Sequence, residues 1–151
     1  MKEGFESGAR VEKKEKDSTA EEGAVMERYI DLRSRAYEPL MSSEERRAFS
    51  QDLIDLVRAL NEGKNLEPEV REELLRQVQV VEQDYLSIKN ATEVVQQLER
   101  ESRGDILVPH LYDKSIGLIL AARDRGVPDR SLEPLRDIIE GYLDRVRALR
   151  G

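Results

Sequence analysis

The chain contains a single histidine, His110, and no cysteine. One histidine without thiols excludes a two-histidine zinc site within one chain, and it excludes the di-iron site of helical bundles, which needs two Glu-x-x-His motifs. The lack of cysteine also excludes disulfides and thiolate nucleophiles. Neither a Gly-x-Ser-x-Gly turn nor a glycine-rich phosphate loop occurs in the sequence. We therefore predict a non-enzymatic protein without a metal or cofactor.

Arg103 and His110 form the one pair that is similar to a catalytic motif. The spacing Arg-x6-His, at the start of a late helix, resembles the ribonuclease motif of HEPN-type proteins. The resemblance implies that Arg103 holds a phosphate and His110 transfers a proton during cleavage through a ribose 2′-hydroxyl. Gly104 stands where that motif has a polar residue, and Pro109 directly precedes the histidine. A ribonuclease is thus a further alternative, and the structural interpretation is a partly exposed histidine near a helix start.

A second motif, within residues 119–146, is similar to a helix-turn-helix. A small residue, a glycine and three apolar positions have the required spacing: Ala122, Gly126, Val127, Leu132 and Leu135. DNA phosphates would be contacted by arginines around this corner, namely Arg123, Arg125, Arg130 and Arg136. Aspartates are interleaved with them, and the second helix opens with Ser-Leu-Glu-Pro. We therefore expect a structural corner, with a DNA-binding regulator as the alternative function.

The longest predicted element runs from Pro68 to Ser102 without an internal glycine or proline. Apolar residues recur seven apart in this stretch, at Leu74, Val81, Ile88 and Val95. This spacing predicts one long helix with a continuous apolar face, which we call the seam. At about 1.5 Å per residue the helix would be roughly 50 Å long, which makes it the central helix of the fold.

Four further helices are predicted from capping residues and helical spacing. The first begins at Ser18 or Thr19 and stops before Pro39, and the second opens with the capping box that starts at Ser42. The second closes at a left-handed cap near Gly63. The remaining two occupy about 110–125 and 132–150, the last capped by Ser131 or Asp129. The expected fold is an all-α antiparallel bundle of about five helices, with one domain over residues 18–151 and a disordered tail over residues 1–17.

Composition and charge narrow the expected partners. Acidic residues outnumber basic ones by 32 to 25, and the resulting net charge of −7 disfavours nucleic acid. No apolar run approaches the roughly 20 residues that span a bilayer, so we expect no membrane contact and a cytoplasmic location. By exclusion, the chain is predicted to be a helical protein-protein interaction module, that is, a small subunit, adaptor or regulator. Its partner would be another protein or a second copy, bound by a coiled-coil-like interface at the seam residues Leu74, Val81, Ile88 and Val95.

Overall fold

The computed structural model describes residues 20–150, which form five helices and no strand within that range. In chain order these are α1 (20–36), α2 (Ser43–Glu62), α3 (Pro68–Glu101), α4 (Pro109–Asp124) and α5 (Asp129–Arg150). The prediction of an all-α bundle of about five helices is confirmed. The predicted tail over residues 1–17 and the predicted start of α1 at Ser18 or Thr19 lie outside the described residues.

Helix α3 is unbroken over 34 residues, as predicted. Its seam residues Leu74, Val81, Ile88 and Val95 are all at most 3% exposed. The helix ends where Gly104 and Asp105 adopt φ values of 78° and 64°, in the left-handed region that an α-helix cannot enter. A central helix with one buried apolar face is therefore present.

Helix α2 begins with the predicted capping box. The backbone N–H of Glu45 donates to the Ser42 hydroxyl at 3.1 Å, and the N–H of Ser42 donates to the Glu45 carboxylate at 3.2 Å. Each side chain thereby satisfies a backbone donor that has no partner within the helix. The start of α2 is thus determined by residues local in the sequence.

The end of α2 differs from the prediction, because Gly63 does not have positive φ. Gly63 is buried, and a Cβ atom at this position would lie 2.6 Å from Cδ1 of Leu66. The Gly63 carbonyl accepts a hydrogen bond from Arg71, and Glu21 of α1 accepts one from the backbone N–H of Asn65 at 3.2 Å. Glycine is therefore required here for close packing of the loop rather than for a left-handed cap.

The turn between α4 and α5 has the hydrogen bonds of a Schellman motif. The N–H of Val127 donates to the carbonyl of Ala122 at 3.1 Å, and the N–H of Gly126 donates to that of Arg123 at 2.9 Å. Gly126 has φ of 96°, which only glycine adopts without strain. The glycine cap predicted from the sequence is confirmed.

Helix α5 starts at Asp129, about three residues earlier than predicted. Ser131 therefore lies inside the helix and is not its cap. Its hydroxyl is buried and donates instead to the carbonyl oxygen of Tyr37 at 2.7 Å. The serine connects α5 to the segment that follows α1.

The described residues divide into two compact units. One unit contains residues 20–35 and 46–80, and its buried residues include Leu32, Phe49 and Leu56. The other contains residues 36–45 and 81–150, with a core formed by the second half of α3, α4 and α5. The single domain predicted for residues 18–151 stays a prediction, since α3 contributes to both units. No helix among residues 20–150 has the length and apolar character needed to cross a bilayer.

Replacing Gly63 with alanine should destabilise the protein. The added Cβ would approach Leu66, which is only 5% exposed and has little room to move. We expect a loss of about 1–2 kcal/mol in the free energy of unfolding, measured by urea denaturation. Gly23→Ala is the matched control, because no atom lies within 4 Å of the Cβ position at Gly23 of α1. Equal effects of the two substitutions would contradict the packing role of Gly63.

Candidate functional site

The surface between α4 and α5 contains a groove of about 350 Å³, which we call the α4/α5 groove. The two helices are antiparallel, because the four-residue turn after Asp124 reverses the chain and the Tyr112 and Tyr142 rings lie 5.8 Å apart at the opposite end. Helix α4 contributes Tyr112, Ile116, Ile119, Leu120 and Arg123 to the lining, and α5 contributes Asp129, Arg136, Ile139, Glu140 and Leu143. From Tyr112 to Arg123 the groove is about 16 Å long, or three helical turns.

The floor of the groove belongs to the core, whereas its rim is apolar and open to water. Ile119 and Ile139 are each 3% exposed and pack against the second half of α3. Ile116 and Leu143 are half-buried, and Leu120 is 50% exposed. Because Leu120 lies directly beside Ile116 on one face of α4, the rim presents continuous apolar surface that residues 20–150 leave open.

The charged groups of the groove lie at its two ends. At one end Arg136 pairs with Asp129 at 3.4 Å, and Arg123 makes no hydrogen bond or ion pair with any described residue. At the other end Glu140 is likewise without a hydrogen bond or ion pair in the described part of the chain. Among the lining side chains, one end therefore has a net positive charge and the other a net negative charge.

A buried carboxylate holds the α4/α5 turn against α3. Asp84 is 6% exposed, and its Oδ2 accepts a hydrogen bond from the Tyr37 hydroxyl at 2.8 Å. Its Oδ1 lies 3.8 Å from Nε of Arg125, whose Nη2 also donates to Gln83 at 2.9 Å. Together with the bond from Ser131 to the Tyr37 carbonyl, this network connects the segment that follows α1 to α3 and α5. We call it the Asp84 network.

The Asp84 network changes the interpretation of the arginines predicted to contact DNA. Arg125, which replaces an apolar residue of the helix-turn-helix pattern, is directed to Asp84 and Gln83. Arg136 is paired with Asp129. Arg123 and Arg130 are exposed and have no hydrogen bond or ion pair among residues 20–150. Two of the four predicted phosphate ligands are thus engaged within the chain.

The pair Arg103 and His110 has no network around it. Both side chains are exposed, and neither makes a hydrogen bond or ion pair with the described residues. The polar groups beside them are used elsewhere: Arg145 donates to the buried Ser102 hydroxyl at 2.7 Å, and the N–H of Val108 donates to the Tyr142 hydroxyl at 3.2 Å. A catalytic histidine is normally oriented by a third group, and no described side chain orients His110.

The seam residues predicted to bind a partner lie in the chain's own core. Leu74, Val81, Ile88 and Val95 are between 0 and 3% exposed. A partner could reach them only if helices of this chain moved away from α3. The exposed apolar residues of the groove are accessible without such a change.

A second, polar cavity of about 330 Å³ lies in the unit that contains α1 and α2. It is lined by Glu27, Arg28, Asp31, Arg35 and Asp52. Arg35 donates to Asp31 at 2.8 Å and to Asp52 at 2.7 Å, and it lies over the Phe49 ring at 5.9 Å. Burial lowers the pKa of Arg35, but these two carboxylates raise it by more, so the net shift is upward. The charged groups that line this cavity are therefore largely paired with one another, and the pair of Arg35 and Asp52 joins α1 to α2.

The acidic row on α5 does not form a cation site. Its members are Glu133, Asp137, Glu140 and Asp144, of which Asp144 pairs with Arg147 at 3.1 Å. No group of three or more His, Asp or Glu side chains among residues 20–150 is arranged to hold a metal ion.

Sequence reasoning missed both Asp84 and the groove. A usable indication existed for Asp84, which lies three residues after Val81 and four before Ile88, at a core position of the heptad. An acid at such a position requires a polar partner. The groove had no comparable indication, because the exposure of Leu120 depends on how α4 and α5 pack.

Comparison with known proteins gave no relative. The chain matches no protein family, no curated protein and no solved structure.

A double-mutant cycle on Tyr37 and Asp84 tests the Asp84 network. Tyr37→Phe should lower the free energy of unfolding by about 1–2 kcal/mol, because the buried Asp84 carboxylate loses a hydrogen-bond donor. Asp84→Ala should lower it by about 2–3 kcal/mol, because the Tyr37 hydroxyl loses this acceptor and Arg125 loses a nearby carboxylate. The two effects should be non-additive by at least about 0.5 kcal/mol in urea denaturation. Asp124→Ala, at an exposed carboxylate, is the control and should change stability by less than about 0.5 kcal/mol. Strict additivity would show that the hydroxyl and the carboxylate do not interact.

Proposed function

We propose that this chain is a non-enzymatic helical protein-protein interaction module that acts as a small subunit, adaptor or regulator. The proposed binding surface is the α4/α5 groove. The observation that carries the proposal is the open apolar rim formed by Ile116, Leu120 and Leu143 above a buried floor. Contiguous apolar surface rimmed by polar groups is a common property of protein interaction sites.

The dimensions of the groove favour a helical ligand. Its length of about three turns and its position between two packed helices suit a third helix laid along them. Such a helix would present apolar residues at spacings of three and four to Ile116, Leu120 and Leu143. The buried floor is contributed by the core itself, so the groove needs no opening before binding.

The location of this surface differs from the one predicted from the sequence. The seam was the first choice because of its length, yet its four predicted interface residues are at most 3% exposed. Leu120, at 50% exposure, is available in the folded chain. The proposal therefore retains the predicted function and moves the interface from α3 to α4 and α5.

Photo-crosslinking in the native cell tests the proposal. With p-benzoylphenylalanine in place of Leu120, irradiation should give one discrete adduct, because a bound partner would cover that side chain. The matched control is the same replacement at Leu149 of α5, which is 48% exposed and does not line the groove. Adducts of the same identity and yield at both positions, or none at Leu120, would overturn the proposal.

Nucleic-acid assays separate this function from its two alternatives. We expect no RNA cleavage that depends on Arg103 or His110, and no duplex binding that depends on Arg123 and Arg130. Cleavage lost in both Arg103→Ala and His110→Ala would establish the HEPN-like ribonuclease. Salt-dependent DNA binding that is lost in an Arg123→Ala/Arg130→Ala variant would establish the helix-turn-helix regulator.

A further inference from the structure

We propose that the partner bound at the α4/α5 groove is a second copy of this chain, related by a two-fold axis that crosses α4 near its middle. This inference rests on the proposed function and adds the identity of the partner. In a two-fold interface the same patch serves both subunits, so each contact between residues i and j occurs twice. The patch must therefore be complementary to itself in shape and in charge.

The charges of the groove meet this requirement. Arg123 lies at one end and Glu140 at the other, and neither forms an ion pair with a described residue. A two-fold rotation about the middle of α4 exchanges the ends, which brings Arg123 of one copy to Glu140 of the other. Both pairs form at once, so two unpaired charges per chain gain partners of opposite sign.

The sequence of α4 gives the same complementarity along the helix. When two copies of α4 pack antiparallel with Leu120 facing Ile116, the exposed Asp113 faces Arg123 of the second copy. The same register repeats in the opposite direction, as two-fold symmetry demands. The apolar rim residues are thereby placed at the centre and the charged residues at the edges, which is the usual composition of a protein interface.

Gly117 supplies a second, independent observation. It is exposed in the interior of α4, it does not have positive φ, and no atom lies within 4 Å of its Cβ position. Glycine in a helix interior is less stable than alanine by roughly 0.5–1 kcal/mol, and packing among residues 20–150 gives no reason for it here. Gly117 precedes Leu120 by three residues and so lies beside it on the helix surface. At the crossing point of two α4 helices, a residue without a side chain allows close approach.

Sedimentation equilibrium of the full chain with reversed charges tests the proposal. The wild-type chain should be dimeric, with a dissociation constant that each of Arg123→Glu and Glu140→Arg raises about tenfold, since each reversal opposes like charges twice per dimer. Mixing the two variants should restore association. The glutamate introduced in one variant would then face the arginine introduced in the other, and the second pair would consist of the native Arg123 and the native Glu140. A substitution that acted only on the folding of its own chain would not be rescued by mixing.

Leu120→Asp and Gly117→Leu probe the apolar centre of the contact. Leu120→Asp should abolish the dimer and leave the helix content unchanged by circular dichroism, whereas Leu149→Asp, at a residue of similar exposure, should leave the dimer intact. Gly117→Leu should raise the free energy of unfolding of the monomer and weaken the dimer. These opposite effects would not arise if Gly117 served only the fold of one chain.

The outcomes separate this inference from the proposed function. A chain that stays monomeric, a dimer unaffected by Leu120→Asp, or a mixture of charge variants that fails to associate would overturn the second-copy proposal. If the Leu120 photo-adduct then contains a different protein, the interaction module stands with another partner. If Leu120 gives no specific adduct either, both proposals fail.

Discussion

Burial of the apolar seam on α3 is the constraint on which the rest of the structure depends. This helix is 34 residues long, and its seam residues are at most 3% exposed from Leu74 to Val95. Leaving one large apolar side chain in water instead of burying it costs about 1.5–3 kcal/mol, so a helix with such a seam is stable only if other segments cover it. In the unit that contains α4 and α5, the cover consists of Leu111, Ile119, Leu132 and Leu135. The apolar faces of those helices are thereby directed toward α3, and only the remaining surface is available for a partner.

Polar interactions then determine how the covering segments are arranged. Apolar packing is not directional, and several arrangements of helices can bury a similar area. The Asp84 carboxylate limits the choice, because the cost of burying it is reduced only while the Tyr37 hydroxyl and Arg125 remain close to it. The bonds from Arg145 to Ser102 and from Val108 to Tyr142 have the same effect at the other end of α5. The orientation of α5 relative to α3, and with it the shape of the α4/α5 groove, follows from these contacts.

Features determined by neighbouring residues in the sequence could be predicted, and features determined by distant residues could not. The seven-residue spacing of α3, the capping box at Ser42 and the Schellman turn at Gly126 each depend on residues within one or two helical turns. The predictions of a left-handed cap at Gly63 and of Ser131 as one of two candidate caps were wrong, because the surroundings of Gly63 include Leu66 and Glu21, and Ser131 donates to the carbonyl of Tyr37. The seven-residue spacing correctly predicted that the seam residues form one face of a long helix. Periodicity alone does not distinguish a face covered by its own chain from one covered by a partner.

The distinction between groups held by their own chain and groups available to a partner also applies to the candidate site. Among the residues that could perform chemistry, Arg125 and Arg136 are held by carboxylates of the chain, whereas Arg103 and His110 are exposed without an orienting group. The α4/α5 groove has the opposite character, because four residues in and beside it make no stabilising contact that the described part of the chain would require. Leu120 leaves half of its surface in water, and Gly117 makes α4 less stable than alanine would. Arg123 and Glu140 lack ion-pair partners among the described residues. Packing among residues 20–150 explains none of these four residues, whereas the proposed packing of a second helix along α4 would account for all of them.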